Sequence, residues 1–264
     1  MSEPDPAAPG TVRYESADHV ATITIDRPWA HNAMTEEMYQ QLVACCETAE
    51  ADRSIRVTVL RGAGGRAFAS GSDIRGFLRF TSGDDGLAYE QRIASYFAHV
   101  ERLRMPTVAV IEGYAVGGGM GLALACDLRV CTPRARFGLP IAKTLGNAVS
   151  IAAYARLAEL VGSGRATQML FLATLMDAAD AADAGLVTAV VAEDELDAHV
   201  RDLTATIASH APVTLEVTKE AYRRIREHAL PADDDLLRRA YGTEDFREGV
   251  HAYLEKRRPE WSGA

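Results

Sequence analysis

The alternation of apolar and polar positions divides the first part of the chain into strands and helices. Val20–Asp26 alternates isoleucine with threonine, which predicts a half-buried strand. Thr35 can cap a helix whose apolar residues fall at helical spacing, namely Met38, Leu42, Cys45 and Ala49. Residues 57–60 then form a short buried strand. This order predicts a right-handed crossover in a mostly parallel sheet.

The most informative stretch is residues 107–127, TVAVIEGYAVGGGMGLALACD. It starts as an apolar strand, passes through the glycine triplet at positions 117–119 and ends in an apolar run typical of a buried helix. Glycine lets the backbone approach a ligand closely, and the first N–H groups of a helix have no intrahelical acceptor. The stretch therefore predicts a site that holds negative charge.

The remaining pattern predicts further elements and two end regions. Residues 81–86 indicate a mobile loop, and residues 89–104 a helix. Residues 128–131 and 186–191 indicate strands, residues 137–140 a turn, and Asp177 a helix start. Beyond residue 195 only helices are expected, so a soft boundary falls near residue 200. Residues 1–10 are rich in proline, lack the pattern of a signal peptide and are expected to be a disordered tail.

Composition narrows the class of protein. The 264 residues are 48% hydrophobic and carry a net charge of -9, which argues against nucleic acid as the main partner. The one long apolar stretch contains Glu112 and five glycines, so no membrane association is expected. The four cysteines lack CxxC spacing. They predict reduced core residues in a cytoplasmic protein, with no metal site.

Several catalytic motifs are missing from the sequence. The glycines around the triplet fit GxGxxG in no register, which disfavours an NAD-dependent reductase. There is no GxxxxGK[ST], no GxSxG and no HExxH. A serine hydrolase or a metalloenzyme is therefore not supported.

An ordered set of motifs between residues 14 and 261 resembles the crotonase family, the enoyl-CoA hydratases and isomerases. The motifs are Arg27-Pro28 with Asn32-Ala33-Met34, RAFASGSDI at 66–74, GYAVGGG at 113–119, Cys126-Asp127, Phe137-Gly138-x-Pro140, and DFREG followed by AYLEKR up to residue 257. Each piece is weak by itself, whereas the set in this order and spacing is specific.

The resemblance implies an α/β crotonase (ClpP-like) fold of repeated ββα units, with two near-perpendicular sheets and a helical C-terminal region. It implies a core over residues 11–200 and a trimerisation region over residues 201–264, hence a homotrimer or a dimer of trimers. It also implies an acyl-CoA thioester as substrate, with coenzyme A as part of that substrate and no separate cofactor.

By the same resemblance, the backbone N–H groups of Ser72 and Gly118 form an oxyanion hole for the thioester carbonyl. Enolate charge develops on that oxygen when a proton leaves the adjacent carbon, and preorganised donors stabilise it. One glycine alone would more often serve tight strand-to-helix packing. The triplet together with residues 70–72 favours the functional interpretation.

The sequence departs from the family at the two usual catalytic glutamates, whose positions hold Gly121 and Ile141. Neither side chain can transfer a proton. Standard hydration is therefore not supported. The alternatives are other thioester chemistry of the family, such as decarboxylation or hydrolysis, or acyl-CoA binding without turnover.

Lys143 is a candidate acid/base substitute, provided that it lies in a dry pocket; a solvated surface lysine is the other interpretation. Glu112, Asp127 and Asp73 are interpreted as structural. For the coenzyme A moiety, the resemblance implies Ala30 and Ser70 beside adenine and pantetheine, and Lys256 near the phosphates. His31 is either near those phosphates or simply an exposed loop residue.

Overall fold

Two β-sheets organise the part of the chain that the structure describes, residues 8–228 and 232–263 of a computed structural model. The larger sheet has six strands in the order β1-β2-β3-β5-β7-β10. The first pair is antiparallel and every later pair is parallel. Its strands are β1 (Thr11–Ala17), β2 (Val20–Asp26), β3 (Val57–Gly62), β5 (Thr107–Ile111), β7 (Leu128–Cys131) and β10 (Ala189–Val190).

The smaller sheet has four short strands in the order β4-β6-β8-β9. The first three are parallel and the last pair is antiparallel. Its strands are β4 (Ala67–Ala69), β6 (Tyr114–Val116), β8 (Arg136–Gly138) and β9 (Met176–Asp177).

The chain passes from one sheet to the other in a repeating order. The pairs β3/β4, β5/β6 and β7/β8 each contribute one strand to each sheet. Helices follow these pairs: α2 (Gly83–Glu101), α3 (Gly118–Ala125) and α4 (Ile141–Thr144). The ends of the parallel strands β4, β6 and β8 consequently meet at one edge of the smaller sheet.

The other helices cover the sheets or form the C-terminal region. They are α1 (Glu36–Ala51), α5 (Ile151–Val161), α6 (Ser163–Leu172), α7 (Ala178–Asp183), α8 (Leu196–Ser209), α9 (Pro212–His228), α10 (Asp234–Tyr241) and α11 (Glu244–Leu254), with 3-10 helices at Pro28–Ala30 and Ile74–Arg79. The Thr35 side chain caps α1 by accepting from Met38 N, and Asp177 caps α7. Both helix starts were predicted correctly.

The central strands β3 and β5 of the larger sheet are buried on both faces, and their successive side chains point to opposite sides. Ile23, Leu60 and Ile111 join α1 and α3 in the main apolar core. Val59 and Val108, on the opposite face, pack with residues of α8. Two-sided burial explains why β5 is almost continuously apolar, whereas β2 alternates apolar and polar residues.

Three sequence-based assignments differ from the structure. Of the loop predicted at residues 81–86, residues 83–86 form the first turn of α2, and the Asp85 carboxylate accepts from Thr81 N and Ser82 N to close a capping box. Residues 137–138 belong to a strand instead of a turn, and the strand predicted at 186–191 is reduced to Ala189–Val190. Glycines at 83 and 86 suggested a loop, yet they permit close helix packing.

The predicted tail and boundary also have structural counterparts. Of the tail at 1–10, residues 1–7 lie outside the described residues, whereas Ala8 O accepts from Arg27 Nε at 3.2 Å. The boundary near residue 200 falls within α8, whose Leu196 and Ile207 share a cluster with the sheet. The division into core and C-terminal region stays a prediction.

The four cysteines are free and buried, as predicted for core residues. Among residues 8–228 and 232–263, no helix combines the length and hydropathy that crossing a bilayer requires.

Candidate functional site

Two loops meet where β4 and β6 end side by side. Gly71 and Ser72 follow β4, and Gly117 and Gly118 follow β6. A Cβ atom placed on Gly71 would lie 3.1 Å from Gly118 N, and one on Gly118 would lie 3.5 Å from Ser72 N. The segments predicted to hold the two oxyanion donors are therefore in contact.

The backbone pairing fixes the direction of the Ser72 N–H. Met34 forms a parallel bridge to this residue, in which Met34 N donates to Gly71 O at 2.8 Å and Asp73 N donates to Met34 O at 2.8 Å. These bonds use the groups on either side of Ser72. Its own N–H points away from Met34, and the structure shows no backbone acceptor for it in the described residues.

The Gly118 N–H is free for a different reason. Gly118 is the first residue of α3, so its N–H has no acceptor within the helix. The helix dipole adds partial positive charge at this end. Ser72 and Gly118 both line the same cavity.

Two glycines make the close approach possible. Gly71 has φ +107, a left-handed conformation that residues with a Cβ atom rarely adopt. A Cβ atom on Gly119 would lie 1.9 Å from Ala69 O, so any larger residue would push α3 off β4. These glycines therefore let the two loops and the start of α3 pack closely.

The Ser72 side chain ties its loop to two helices. Its hydroxyl lies 2.8 Å from the Tyr39 hydroxyl on α1 and accepts from the Tyr89 hydroxyl on α2 at 2.6 Å. Burial raises the pKa of both tyrosines well above the usual range. Both phenols stay protonated at neutral pH and hold the loop as hydrogen-bonding groups.

Asp73 also stabilises this loop. It caps the following 3-10 helix, accepting from Arg75 N, and it pairs with Arg27 at 3.0 Å. Burial of the carboxyl acts to raise its pKa, but hydrogen bonds from Arg75 and Arg27 outweigh it and lower the pKa to about 2. The structural interpretation of Asp73 agrees with these contacts.

A cavity of about 580 Å³ opens over the two donors. Its inner wall is largely apolar and includes Ile93, Ala94, Phe97 and Ala153. Such a wall suits an acyl chain.

Gly121 and Ile141, which the sequence resemblance places at the positions of the usual glutamates, both line this cavity. A Cβ atom on Gly121 would lie 2.7 Å from Phe97 Cε2, so the Phe97 ring occupies the space beside this glycine. Ile141 begins α4 and is 9% exposed. Neither position offers a proton-transferring group.

Lys143 does not reach the cavity. It lies exposed on α4 and is absent from the lining, whereas its neighbours Ile141 and Thr144 belong to it. The dry environment that an acid/base lysine requires is missing, so the solvated-surface interpretation holds for Lys143.

The residues expected to contact coenzyme A do line the cavity. Ala30, Ser70, His31 and Lys256 contribute to its wall. Lys256 follows α11 of the same chain, is exposed and has φ +56. The structure thus brings the predicted cation to the cavity without a second subunit.

Two further carboxylates near the motifs make structural contacts. Glu112 pairs with Arg61 at 3.1 Å. Asp127 accepts from Thr107 N at 2.8 Å and pairs with Lys219 at 2.7 Å. These contacts support the structural interpretation of Glu112 and Asp127 from the sequence.

Sequence reasoning missed Glu90, a cavity-lining carboxylate on α2. Glu90 is 7% exposed, and burial raises its pKa to about 7. The sequence feature that could have identified Glu90 is its helical spacing, because it falls on the same helix face as Ile93 and Phe97. A carboxylate within an apolar helix stripe is unusual enough to mark a site.

Comparison with known proteins places the chain among acyl-CoA enzymes in sequence and fold. The family model described as enoyl-CoA hydratase/isomerase matches residues 15–264. A probable enoyl-CoA hydratase of Mycobacterium bovis is 31% identical over 256 residues, covering 96% of this chain and 98% of that protein.

Solved structures superpose on this chain over nearly its whole length. An enoyl-CoA hydratase of Mycobacterium avium subsp. paratuberculosis superposes with a TM-score of 0.80 at 31% identity, covering 95% of this chain and 98% of that one. A methylmalonyl-CoA decarboxylase superposes with a TM-score of 0.89 at 24% identity, covering 96% and 99%. The second likeness concerns the fold alone.

Proposed function

Because the chain belongs to the enoyl-CoA hydratase/isomerase family, also called the crotonase family, we propose that Ser72 N–H and Gly118 N–H bind the thioester oxygen of its acyl-CoA substrate. The observation that supports this assignment is the contact between the two loops, with both N–H groups free of backbone acceptors in the described residues. The reaction proceeds through an enolate whose charge these donors stabilise.

The energetic reason lies in where charge develops. The thioester oxygen is nearly neutral in the substrate and becomes anionic in the enolate, so fixed donors favour the transition state over the ground state. Loss of one such donor typically costs about 3–4 kcal/mol of barrier. The start of α3 contributes further through its dipole.

The proposed chemistry excludes hydration by two glutamates. Gly121 and Ile141 cannot activate water or protonate the substrate, and Phe97 fills the space beside Gly121. Slow hydration of crotonyl-CoA is the expected behaviour.

Decarboxylation is the second candidate function. Loss of CO₂ from a malonyl-type thioester breaks a carbon–carbon bond and leaves its electron pair in the enolate, so no base is needed to form that enolate. The two positions without acid/base groups favour this candidate over hydration. Thioester hydrolysis and acyl-CoA binding without turnover are the remaining alternatives.

For the coenzyme A moiety, we assign Ala30 and Ser70 to the adenine and pantetheine channel and Lys256 to the phosphates. The support is that all three line the cavity that opens over the donors. Lys256 forms no ion pair with a carboxylate in the described part of the chain, which leaves its charge available.

We also propose assembly as a homotrimer or a dimer of trimers in the cytoplasm. Apolar side chains on α9 support assembly, since Val213, Val217 and Ile225 are 67%, 61% and 68% exposed in the single chain. Four free, buried cysteines agree with a reducing compartment.

A screen of enoyl-, malonyl- and hydroxyacyl-CoA thioesters by mass spectrometry tests the reaction class. We expect turnover of a substrate that forms an enolate, together with very slow hydration of crotonyl-CoA. Rapid hydration would overturn the interpretation of Gly121 and Ile141. Binding without turnover of any thioester would favour the non-catalytic alternative.

Substitutions at Gly118 test the oxyanion assignment. Proline is tolerated at the first position of a helix and removes the N–H. Gly118→Pro is expected to lower turnover about 100- to 1,000-fold. Gly118→Ala is the matched control, because it adds a Cβ atom while keeping the donor. Wild-type turnover by Gly118→Pro would refute the assignment.

A further inference from the structure

Glu90 is a buried carboxylate that the oxyanion site does not account for. It lies on α2 and shares the cavity wall with Ile93 and Phe97, one and two helical turns further on. Its side chain is almost completely removed from solvent, at 7% exposure. Burying an ionised carboxylate is costly, so such a group requires specific partners.

Two donors hold the carboxyl group in place. The Tyr241 hydroxyl donates to Glu90 Oε1 at 2.5 Å, and the backbone N–H of Ser150 also donates to the carboxyl. Asn147 Nδ2 donates to the Tyr241 hydroxyl oxygen at 3.2 Å, and of the two acceptors within reach of the tyrosine proton, Glu90 Oε1 is nearer than Ala148 O, which lies at 3.2 Å. These bonds orient the carboxyl group without filling all of its acceptor positions.

The glycine at position 86 makes this arrangement possible. A Cβ atom there would lie 2.0 Å from Tyr241 Cγ, so only glycine lets α10 pack directly on α2. Because Gly86 is one turn before Glu90, the tyrosine ring crosses α2 at that glycine and its hydroxyl reaches the carboxyl. The contact between Tyr241 and Glu90 thus depends on the glycine at position 86 of α2.

The charges around Glu90 keep its proton affinity high. Burial raises its pKa, hydrogen bonds from Tyr241 and Ser150 lower it, and the negative charge of Asp233 raises it, with a result of about 7. The other titratable neighbours are tyrosines, namely Tyr39, Tyr89 and Tyr154. Within the described chain, Glu90 forms no ion pair with a lysine, arginine or histidine.

Glu90 is adjacent in the chain to a residue that contacts the oxyanion loop. Tyr89 donates to Ser72 Oγ at 2.6 Å. The Cα atoms of consecutive residues are about 3.8 Å apart. Consecutive residues of α2 therefore include the one that anchors the oxyanion loop and a carboxyl group that lines the same cavity.

We propose that Glu90 is the residue that transfers the proton at the α-carbon of the bound acyl-CoA. This assignment rests on the proposed function, since it requires the thioester oxygen to be held by Ser72 and Gly118. It places the acid/base group on α2 instead of at positions 121 and 141.

The proton transfer balances without a further reactant. The electron pair of the enolate forms a C–H bond with the carboxylic proton of Glu90, and the O–H bond of Glu90 breaks. The thioester carbonyl is restored, and the resulting carboxylate is stabilised by Tyr241 and Ser150. In reverse, the carboxylate removes an α-proton as the enolate forms.

Exchange of α-hydrogen for deuterium tests the step independently of the overall reaction. Butyryl-CoA is incubated with the full chain in D₂O, and its mass is followed over time. We expect exchange by the wild type, and a loss of 100-fold or more in Glu90→Gln with the affinity for butyryl-CoA unchanged. Glutamine keeps the shape, and a thermal melt verifies that the variant is folded.

The outcomes separate this inference from the proposed function. Equal exchange by the wild type and Glu90→Gln would overturn the role of Glu90 and leave the oxyanion site intact. Binding of butyryl-CoA without any exchange by the wild type would also overturn it. Failure to bind any of the thioesters would overturn the proposed function as well.

A second variant distinguishes proton transfer from a structural role. If Glu90 is the base, exchange rises with pH as Glu90 deprotonates and then levels off. Tyr241→Phe removes a bond that stabilises the carboxylate, so the midpoint is expected to move to higher pH by roughly one unit. A merely structural role would lower the rate without moving the midpoint, and that result would refute the inference.

Discussion

The contact between Gly121 and Phe97 predicts a sign change in a double-mutant cycle. Gly121 lies inside α3, where alanine in place of glycine normally stabilises a helix by about 1 kcal/mol. Here the added Cβ atom would lie 2.7 Å from Phe97 Cε2, closer than carbon atoms pack. Overpacking of this kind costs about 1–3 kcal/mol. Gly121→Ala is therefore expected to be neutral or destabilising by up to about 2 kcal/mol.

Removal of the Phe97 ring should reverse this effect. In a Phe97→Ala background the added methyl group meets no ring, so Gly121→Ala should stabilise the protein by about 1 kcal/mol. The coupling free energy between the two positions is then about 1–3 kcal/mol. Urea denaturation of the wild type, both single variants and the double variant measures it.

Gly164 provides a control for helix propensity. It lies in α6, and a Cβ atom there would meet nothing within 4 Å. Gly164→Ala should give a gain of up to about 1 kcal/mol that is equal in both backgrounds. If Gly121→Ala likewise has the same effect with and without Phe97, the ring does not occupy the space beside Gly121 and the reasoning fails.

Two further predictions concern stability. The pKa of Glu90 is raised from 4.5 to about 7 in the folded protein, so its stabilising contribution is complete below pH 4.5 and is lost as pH rises through 7, by at most roughly 3 kcal/mol. Wild-type stability relative to Glu90→Gln should fall between pH 5 and pH 8 in urea titrations, and a constant difference would contradict the burial of this carboxyl without a cationic partner. Arg156 donates to Leu124 O at 2.9 Å at the buried end of α3. Arg156→Met should therefore lower the free energy of unfolding by about 2–3 kcal/mol. The control Arg165→Met, at an exposed position, should change it by less than about 0.5 kcal/mol in the same assay.

The family and the fold class were predictable from sequence, and the comparisons confirm both. Strand periodicity at Val20–Asp26, the Thr35 cap and the glycine triplet are local signals with a direct physical meaning. Each signal depends on a few adjacent residues, so it can be recognised in one sequence by itself.

The errors arose where distant segments determine local structure. Residues 81–86 are polar and rich in glycine, which is typical of a loop, yet they begin α2. Gly83 and Gly86 are required because α10, about 150 residues later, packs directly against them. No local pattern reveals that partner.

The same limit applies to the acid/base group. The sequence showed correctly that positions 121 and 141 hold no glutamate, and it offered Lys143 because that residue is close in the chain. Glu90 is distant from these positions in sequence and comes to the cavity through the packing of α2. Its place on an apolar helix face was the only local indication.

The two donors assigned to the thioester oxygen are main-chain atoms, and this has an evolutionary consequence. Every residue except proline supplies the same N–H, so substitutions at position 72 leave the donor in place as long as the loop keeps its path. Side-chain acids and bases have no such protection. After gene duplication, a protein with this fold can thus lose or relocate its proton-transferring residue and still bind acyl-CoA. Its thioester remains bound and polarised, so selection can favour a new reaction at the same site.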